Sequence, residues 1–153
     1  MQIESYDGKS KETGCLGCAP RESIIRANRF VAYQDFEIPI PGFIIVSSIR
    51  HFMSIDEMAD DELLEFPRVL KFVREGMRYA LDVDEAYLFQ NEDSAHHFHM
   101  WMFPRYDWME RFGRKIQSVR PIMEYARKEL KTPQNIEEVK RSINVLKGYL
   151  ASS

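Results

Sequence analysis

The sequence predicts an α+β domain in which an antiparallel sheet packs against one long helix, with further helices at the C-terminal end. Three observations support this class. Short apolar runs bounded by turn residues indicate several strands, one apolar stripe at helical spacing indicates a long helix, and the residues after 105 have helical periodicity. The length of 153 residues fits one domain, and the apolar fraction of 44% suffices for a buried core.

Four apolar runs predict the strands. "RFVAYQD" at 29–35 indicates a short strand, and the prolines and glycine of "FEIPIPG" at 36–42 predict a loop after it. "FIIVSS" at 43–48 is a continuous apolar run, which is typical of a central strand. "EAYLFQN" at 85–91 and "HHFHMWMF" at 96–103 are separated by a short polar link, so we expect an antiparallel pair.

A long helix is expected between the second and third of these strands. Ser54 and Glu57 have the spacing of a capping box, which predicts a short helical turn. Apolar residues then recur at helical spacing from about 60 to 81. Pro67 is expected either to kink this helix or to begin its second half.

The C-terminal part predicts helices that extend the core. Thr132 followed by Pro133 is typical of an N-cap and a first helical position, and apolar residues repeat at helical spacing after them. The helices are expected to pack on the core. The predicted organisation is a flexible tail at 1–14, a core domain at 15–105 and a helical extension at 106–153.

Composition limits the classes of function. A net charge of -3 gives no basic surface of the kind that binds nucleic acid. No apolar run is long enough to span a membrane, and the polar N-terminus lacks the apolar centre of a signal peptide. We therefore expect a cytoplasmic protein without nucleic-acid or membrane partners. In that reducing environment, the 2 cysteines are not expected to form a structural disulfide.

Three of the 4 histidines lie within four consecutive positions of the last predicted strand. Because side chains alternate along a strand, His97, His99 and Trp101 share one face, and His96 lies on the other. One interpretation is that these are ordinary polar residues of a half-exposed strand. The other is a reactive site, because imidazole can attack phosphorus or transfer protons near neutral pH.

The two cysteines form a Cys-x-x-Cys pair, Cys15 and Cys18. Such a pair can bind one metal ion, act as a thioredoxin-type redox pair, or remain without a ligand. The redox alternative needs a strand before the pair and a helix after it, which the flanking sequence supports little. Zinc needs four ligands, typically thiolate and imidazole, and the chain also offers His51 and His97.

The segment "SAHHFHMWMFPR" at 94–105 resembles the histidine triad (HIT) superfamily, whose mark is His-x-His-x-His followed by apolar residues and often Pro-Arg. Counting back from Pro104-Arg105 places the three positions at His97, His99 and Trp101, so the third histidine is replaced. In galactose-1-phosphate uridylyltransferase, of the same superfamily, this position is glutamine. "DFEIPIPGFIIVSSIRH" at 35–51 is similar to the family segment that follows a ribose-binding aspartate. The resemblance covers about residues 15–105 and implies a HIT-like antiparallel sheet with a long helix.

The resemblance also implies a metal site and a reaction. The zinc ligands of similar proteins match Cys15, Cys18, His51 and His97, which implies one structural zinc ion per chain. His99 matches the nucleophile, which would attack the α-phosphorus of a nucleotide phosphoanhydride, ester or phosphoramidate, such as a dinucleoside polyphosphate. Ser94 matches a serine that hydrogen-bonds the leaving group, although a turn residue is the alternative.

Further residues are expected around the nucleotide. Asp35 matches the ribose-binding aspartate, with a turn-capping loop residue as the alternative. Asn91, the indole N–H of Trp101, and Arg105 are candidate nucleotide contacts. Tyr106 and Trp108 either stack on a base or, as we favour, pack under the C-terminal helix.

Three functions follow: a nucleotide hydrolase, a nucleotidyltransferase or phosphorylase, and a nucleotide-binding module with little catalysis because Trp101 replaces a histidine. Homodimerisation is common in the superfamily and is a further expectation.

Overall fold

Five antiparallel strands form one sheet in the computed structural model, which describes residues 15, 18, 22–93 and 97–153. The order across the sheet is β1-β2-β3-β5-β4. Strand bounds are Ile25–Arg26 (β1), Phe30–Gln34 (β2), Ile44–Ser48 (β3), Glu85–Phe89 (β4) and His99–Arg105 (β5). The predicted α+β class and antiparallel sheet are confirmed, and β1 is a two-residue strand that the sequence pattern did not indicate.

The strand β5 differs most from its predicted bounds. It begins at His99 rather than at 96, and its predicted first residue, His96, lies outside the described residues. It continues to Arg105 through Pro104, which pairs with Ala86 of β4. The pairing of β5 with β3 ends at Met102, so Pro104 has a strand on one side only, where a residue without an N–H is tolerated.

Three helices surround the sheet, α1 (Asp60–Leu81), α2 (Val119–Glu129) and α3 (Pro133–Ala151). Shorter 3₁₀ turns occupy Ile55–Glu57, Asp107–Phe112 and Ile116–Ser118. The predicted long helix is confirmed as one continuous element, so Pro67 does not start a second helix. The predicted cap of α3 is also present, because the Thr132 side chain accepts a hydrogen bond from the backbone N–H of Asn135 at 3.2 Å.

The main core lies between one face of the sheet and α1. Phe30, Val46 and Met102 of the sheet are buried there against Val73 and Met77 of α1. The helix α3 joins the same core through Leu146 and Leu150. Their approach requires Gly76, since a Cβ atom there would lie 2.5 Å from Leu146 Cδ1. Each fully buried large apolar side chain contributes about 1.5–3 kcal/mol to the stability of the fold. The buried leucines of α3 therefore stabilise the core together with the buried apolar side chains of α1.

The opposite face of the sheet is divided into two parts. At one end, Phe43 and Phe103 are buried under α2, together with the loop residues Ile38 and Ile40. At the other end, Val31, Tyr33 and Ile45 form a small cluster with Trp101 and have no helix over them among the described residues. This second part borders His99. The division of the chain at residue 105 remains a prediction.

Candidate functional site

The pairing of β3 with β5 brings two distant histidines together. Ser47 of β3 lies opposite His99 of β5, so the residues just after β3 adjoin the residues just before β5. His51 follows β3 and His97 precedes β5, and their ring centroids are 5.0 Å apart. Cys15 and Cys18 lie against both rings. The ligand atoms of the four residues all fall within 4.8 Å of one another.

The geometry of these four residues, the tetrad, fits a tetrahedral metal ion. His97 Nδ1 is 3.3 Å from Cys18 Sγ and 3.6 Å from Cys15 Sγ, and the corresponding distances from His51 Nδ1 are 3.2 and 3.5 Å. The two Nδ1 atoms are 3.2 Å apart. In a tetrahedral site, bonds of about 2.3 Å to sulfur and 2.05 Å to nitrogen separate a sulfur from a nitrogen by about 3.6 Å and the two nitrogens by about 3.3 Å. The observed distances are close to these values. The four predicted residues therefore come together with the geometry of a site that could hold a metal ion.

The other ring nitrogen of His97 orients the ligand. Nε2 lies 2.6 Å from the Ser48 carbonyl oxygen, which can only accept, so Nε2 carries the proton and Nδ1 offers its lone pair to the tetrad. The Ser48 hydroxyl is 3.2 Å from the same Nε2 and donates to the Arg50 carbonyl at 2.8 Å. His97 is buried, so this arrangement is shielded from water. Ser48 was not predicted from the sequence, because only the observed pairing of β3 with β5 places it beside His97.

An ion pair between the exposed Arg50 and the buried Glu62 holds the segment that carries His51. Arg50 donates from Nη2 to Glu62 Oε1 at 2.7 Å and from Nε to both carboxylate oxygens at 3.2 Å. Glu62 lies in the first turn of α1 and also accepts from the Ala59 N–H at 2.8 Å. The link therefore ties the loop before His51 to the start of α1. No spacing rule in the sequence indicates this pair.

His99 is held by the residue that also belongs to the tetrad. Its Nδ1 donates to the His97 carbonyl oxygen at 2.9 Å, so in the neutral imidazole the lone pair is on Nε2. The Trp101 ring stands edge-on to it, with centroids 5.0 Å apart and planes at 71°. The His99 side chain is buried, with 8% of its surface exposed. One imidazole nitrogen is thus fixed and the other has the electron pair that a nucleophile needs.

Trp101 occupies the middle of the sheet face between His99 and the cluster on β2 and β3. It pairs with Ile45 of β3 and Phe89 of β4, and its ring centroid is 5.0 Å from that of Phe89. It also packs against the cluster formed by Val31, Tyr33 and Ile45. The side chain is half-buried, so one part of the indole packs and another part lines the open face. Its N–H can donate a hydrogen bond, but the indole cannot transfer a proton as an imidazole does.

Asp35 lies at the end of β2, where its carboxylate caps the following turn. Oδ1 accepts from the backbone N–H groups of Glu37 at 2.8 Å and Ile38 at 3.2 Å. Burial is the largest effect on this group and raises the pKa of Asp35. Its second oxygen, Oδ2, accepts no hydrogen bond within the described residues. A cavity of about 390 Å³ adjoins it and is also lined by Tyr33 and Ile45.

The structure brings some of the other predicted site residues near His99 and separates one from it. Asn91 follows β4 two residues after Phe89, which pairs with Trp101, so it lies at the level of His99. Arg105 is at the far end of β5, roughly 20 Å from His99 along the strand. It donates to the Gly113 carbonyl at 2.6 Å and to Ser118 Oγ at 3.1 Å. Ser94 lies outside the described residues.

The two aromatic residues after β5 pack against other elements. The Tyr106 hydroxyl donates to the Pro41 carbonyl at 2.5 Å, and burial raises the pKa of this phenol. The Trp108 ring centroid is 5.7 Å from that of Tyr125 in α2. The favoured packing is present for both residues, and Trp108 also keeps 38% of its surface exposed.

Comparisons with known proteins identify the fold. No protein-family model matches the sequence, and no curated protein matches it. A Zn-bound histidine triad family protein from Mycobacterium smegmatis superposes with a TM-score of 0.61 at 17% identity, covering 91% of this chain and 94% of that one. The diadenosine triphosphate hydrolase of Plasmodium falciparum, solved with cyclomarin A, gives 0.61 at 14% identity, covering 100% of this chain and 88% of that one.

A HIT family protein from Bacillus subtilis gives a TM-score of 0.58 at 18% identity, covering 78% of this chain and 99% of that one. The sheet order, the long helix and these superpositions show that the chain has the fold of the histidine triad proteins. The predicted HIT-like fold is therefore confirmed. Among the described residues, no helix has both the length and the apolar character that a membrane crossing requires.

Proposed function

We propose that the tetrad binds one structural zinc ion per chain. Two thiolates and two imidazoles are a ligand set typical of zinc, and the four distances fit its tetrahedral geometry. All four positions are filled by side chains, so the ion has no open position for a substrate. Its contribution is structural: it stabilises the segments that carry His97 and, through the His97 carbonyl, orients His99. The M. smegmatis protein of the same fold is described as Zn-bound.

We further propose that the protein is a nucleotide hydrolase with His99 as nucleophile. The observation that carries this proposal is the hydrogen bond from His99 Nδ1 to the His97 carbonyl at 2.9 Å, because it leaves Nε2 with a lone pair. Nε2 forms a bond to the α-phosphorus, and the bond from phosphorus to the leaving oxygen breaks with its electron pair. Water then attacks the nucleotidyl-histidine, transfers a proton to the medium and releases the nucleoside monophosphate and His99.

The sheet face beside His99 is the proposed nucleotide site. Asp35 Oδ2 would accept a hydrogen bond from a ribose hydroxyl, and the cavity lined by Tyr33 and Ile45 would hold the nucleoside. Trp101 would contact the phosphates through its N–H, and Asn91 would add a hydrogen bond. Ser94 keeps its predicted contact with the leaving group. The predicted nucleotide contact of Arg105 has no part in this site, because that side chain lies at the far end of β5.

Trp101 limits the proposed substrates. A histidine at this position could protonate the leaving group, whereas an indole cannot. Leaving groups that depart as stable anions are therefore favoured, which points to phosphoanhydrides such as dinucleoside polyphosphates. The P. falciparum protein of this fold is a diadenosine triphosphate hydrolase. A nucleotidyltransferase or phosphorylase is the second candidate, since the same intermediate can pass its nucleotidyl group to phosphate.

The test combines intact-mass measurement with metal analysis. Diadenosine tetraphosphate should give adenylate product and a transient adenylyl adduct on the parent protein. His99→Gln should retain zinc and lose the adduct, whereas His97→Gln should lose zinc as well. Product formation that requires inorganic phosphate would identify a phosphorylase instead.

If neither product nor adduct forms while the nucleotide still raises the melting temperature, the protein is a binding module. Zinc-free parent protein that is fully folded would contradict the metal proposal. Homodimerisation and a cytoplasmic location remain predictions.

A further inference from the structure

A second cleft lies at the other end of the molecule. It has a volume of about 580 Å³ and is bounded by the end of α1, the turn Asp107–Phe112, and the helices α2 and α3. Tyr106, which borders it, is seven residues after His99, roughly 23 Å along the strand direction. The cleft is therefore separate from the proposed nucleotide site. Its size is within the range of small-molecule sites, about 300–1,000 Å³.

One arginine in this cleft, Arg111, has no acidic partner among the described residues. The Arg111 guanidinium carbon lies 4.5 Å from the centroid of the Tyr125 ring and 4.8 Å from that of Phe112. Stacking uses the face of the guanidinium and leaves its N–H edges available. Within the part of the chain that the structure describes, Arg111 makes no hydrogen bond or ion pair. Arg141 in the same cleft is instead paired with Glu138.

The remaining walls define what could fill the space. Apolar and aromatic side chains predominate, among them Leu81, Trp108 and Val145, and Trp108 keeps 38% of its surface exposed. Asp82 and Glu138 also line the cleft and offset the charges of its two arginines, so it has no net positive charge to attract a ligand with several negative charges. The combination favours an aromatic ring with a single negative charge, because a carboxylate can accept two parallel N–H bonds from a guanidinium edge.

We propose that this cleft binds a small aromatic molecule that carries one carboxylate. Arg111 receives the carboxylate on its free edge, and Trp108 and Tyr125 contact the ring. The inference is independent of the nucleotide site, because it uses none of the residues around His99.

The experiment titrates the protein with 4-iodobenzoate and follows tryptophan fluorescence. The chain has 2 tryptophans, so the Trp101→Phe protein reports Trp108 alone. Saturable quenching by the iodine atom is expected. The neutral analogue 4-iodobenzamide should bind about tenfold more weakly, because it lacks the charge-assisted contact. The doubly charged 4-iodophenyl phosphate should also bind more weakly than the carboxylate.

Two variants test the assigned cation. Arg111→Gln should weaken 4-iodobenzoate about tenfold and leave the amide unchanged. Arg114→Gln is the matched control, because Arg114 is exposed, does not line this cleft, and is paired with Glu110 and Glu85. It should bind 4-iodobenzoate as the parent protein does.

Several outcomes would overturn the proposal. They are an absence of saturable quenching, equal affinity for the acid and the amide, and an equal loss of affinity in both arginine variants. Sedimentation adds another: a dimer that Trp108→Ala converts to a monomer would assign the cleft to a second copy of the chain.

Discussion

Removing the Glu62 carboxylate should destabilise the protein more than its position in a first helical turn suggests. Glu62 is 1% exposed, and its oxygens accept from Arg50 and from the Ala59 N–H. A charge-assisted hydrogen bond contributes about 1.5–3 kcal/mol when buried. The Arg50 side chain is 44% exposed, so solvent screening reduces its share. We therefore expect Glu62→Ala to lower the free energy of unfolding by about 2–3 kcal/mol.

The measurement is urea denaturation with zinc present in excess, combined with a double-mutant cycle. Glu62→Ala should lower the melting temperature by about 5–10 °C, given the chain length. The cycle with Arg50→Ala should give a coupling energy of about 1–2 kcal/mol. Glu75→Ala is the control, because its pair with Lys71 is exposed on α1 and contributes only about 0.3–0.5 kcal/mol.

Two results would refute this reasoning. A loss for Glu62→Ala no larger than that for Glu75→Ala would show that burial of the Glu62 carboxylate adds nothing to the strength of its contacts. A coupling energy near zero would show that Arg50 is not the partner that matters. Zinc retention in a chelator competition extends the test, because Arg50 directly precedes the ligand His51 and the variant should release the ion more readily.

Three further predictions test packing, ionisation and chemistry. Gly76→Ala should destabilise the protein by about 1–3 kcal/mol relative to the control Gly148→Ala in urea denaturation. The new Cβ at position 76 would lie 2.5 Å from Leu146 Cδ1, whereas a Cβ at position 148 meets nothing. Equal effects would contradict the packing of α3 on α1. Burial raises the pKa of Asp35 above its usual 3.8, so the folded state favours the protonated carboxyl. The protonated carboxyl therefore adds to the free energy of unfolding in full below pH 3.8, and this contribution is lost as the pH rises through the raised pKa. Asp35→Asn should therefore gain stability relative to the parent protein as pH rises from about 4 to 7 in denaturant midpoints, and a constant difference would exclude the effect. Trp101→His should accelerate cleavage of an adenosine phosphoramidate by about 10²-fold, whereas cleavage of an anhydride should change less and Trp101→Phe should give no gain. Equal rates for all three proteins would show that protonation of the leaving group does not limit the reaction.

The parts of the structure that the sequence predicts well are those with a regular pattern or a characteristic spacing. The apolar residues at helical spacing from 60 to 81 match α1, because they form the face of the helix that is buried against the sheet. The metal site was predicted because the Cys-x-x-Cys pair and two histidines match the zinc ligands of similar histidine triad proteins. Both signals are local in the sequence or specific in their chemistry.

The remaining features depend on contacts that no local pattern records. β1 has two residues, too few for alternation to be visible. The partners Arg50 and Glu62 are exposed-type residues in sequence, and only the loop between β3 and α1 places them together. Likewise, Arg111 differs from other surface arginines only because two aromatic rings lie under it. The start of β5 at His99 also depends on a distant contact, because the backbone N–H of Phe98 just before it donates to the Phe52 carbonyl at 2.6 Å.

The tetrad also has a consequence for the order of folding. Cys18 and His51 are 33 positions apart, His51 and His97 are 46 apart, and Cys18 and His97 are 79 apart. A bound ion would therefore close long loops, whose closure entropy the unfolded chain otherwise retains. The complete ligand set exists only once β3 and β5 have paired. Tight binding of zinc would therefore occur late in folding, after the strands have reached their native order. A chain with mispaired strands would present no tetrad and would leave the His99 ring without its carbonyl partner.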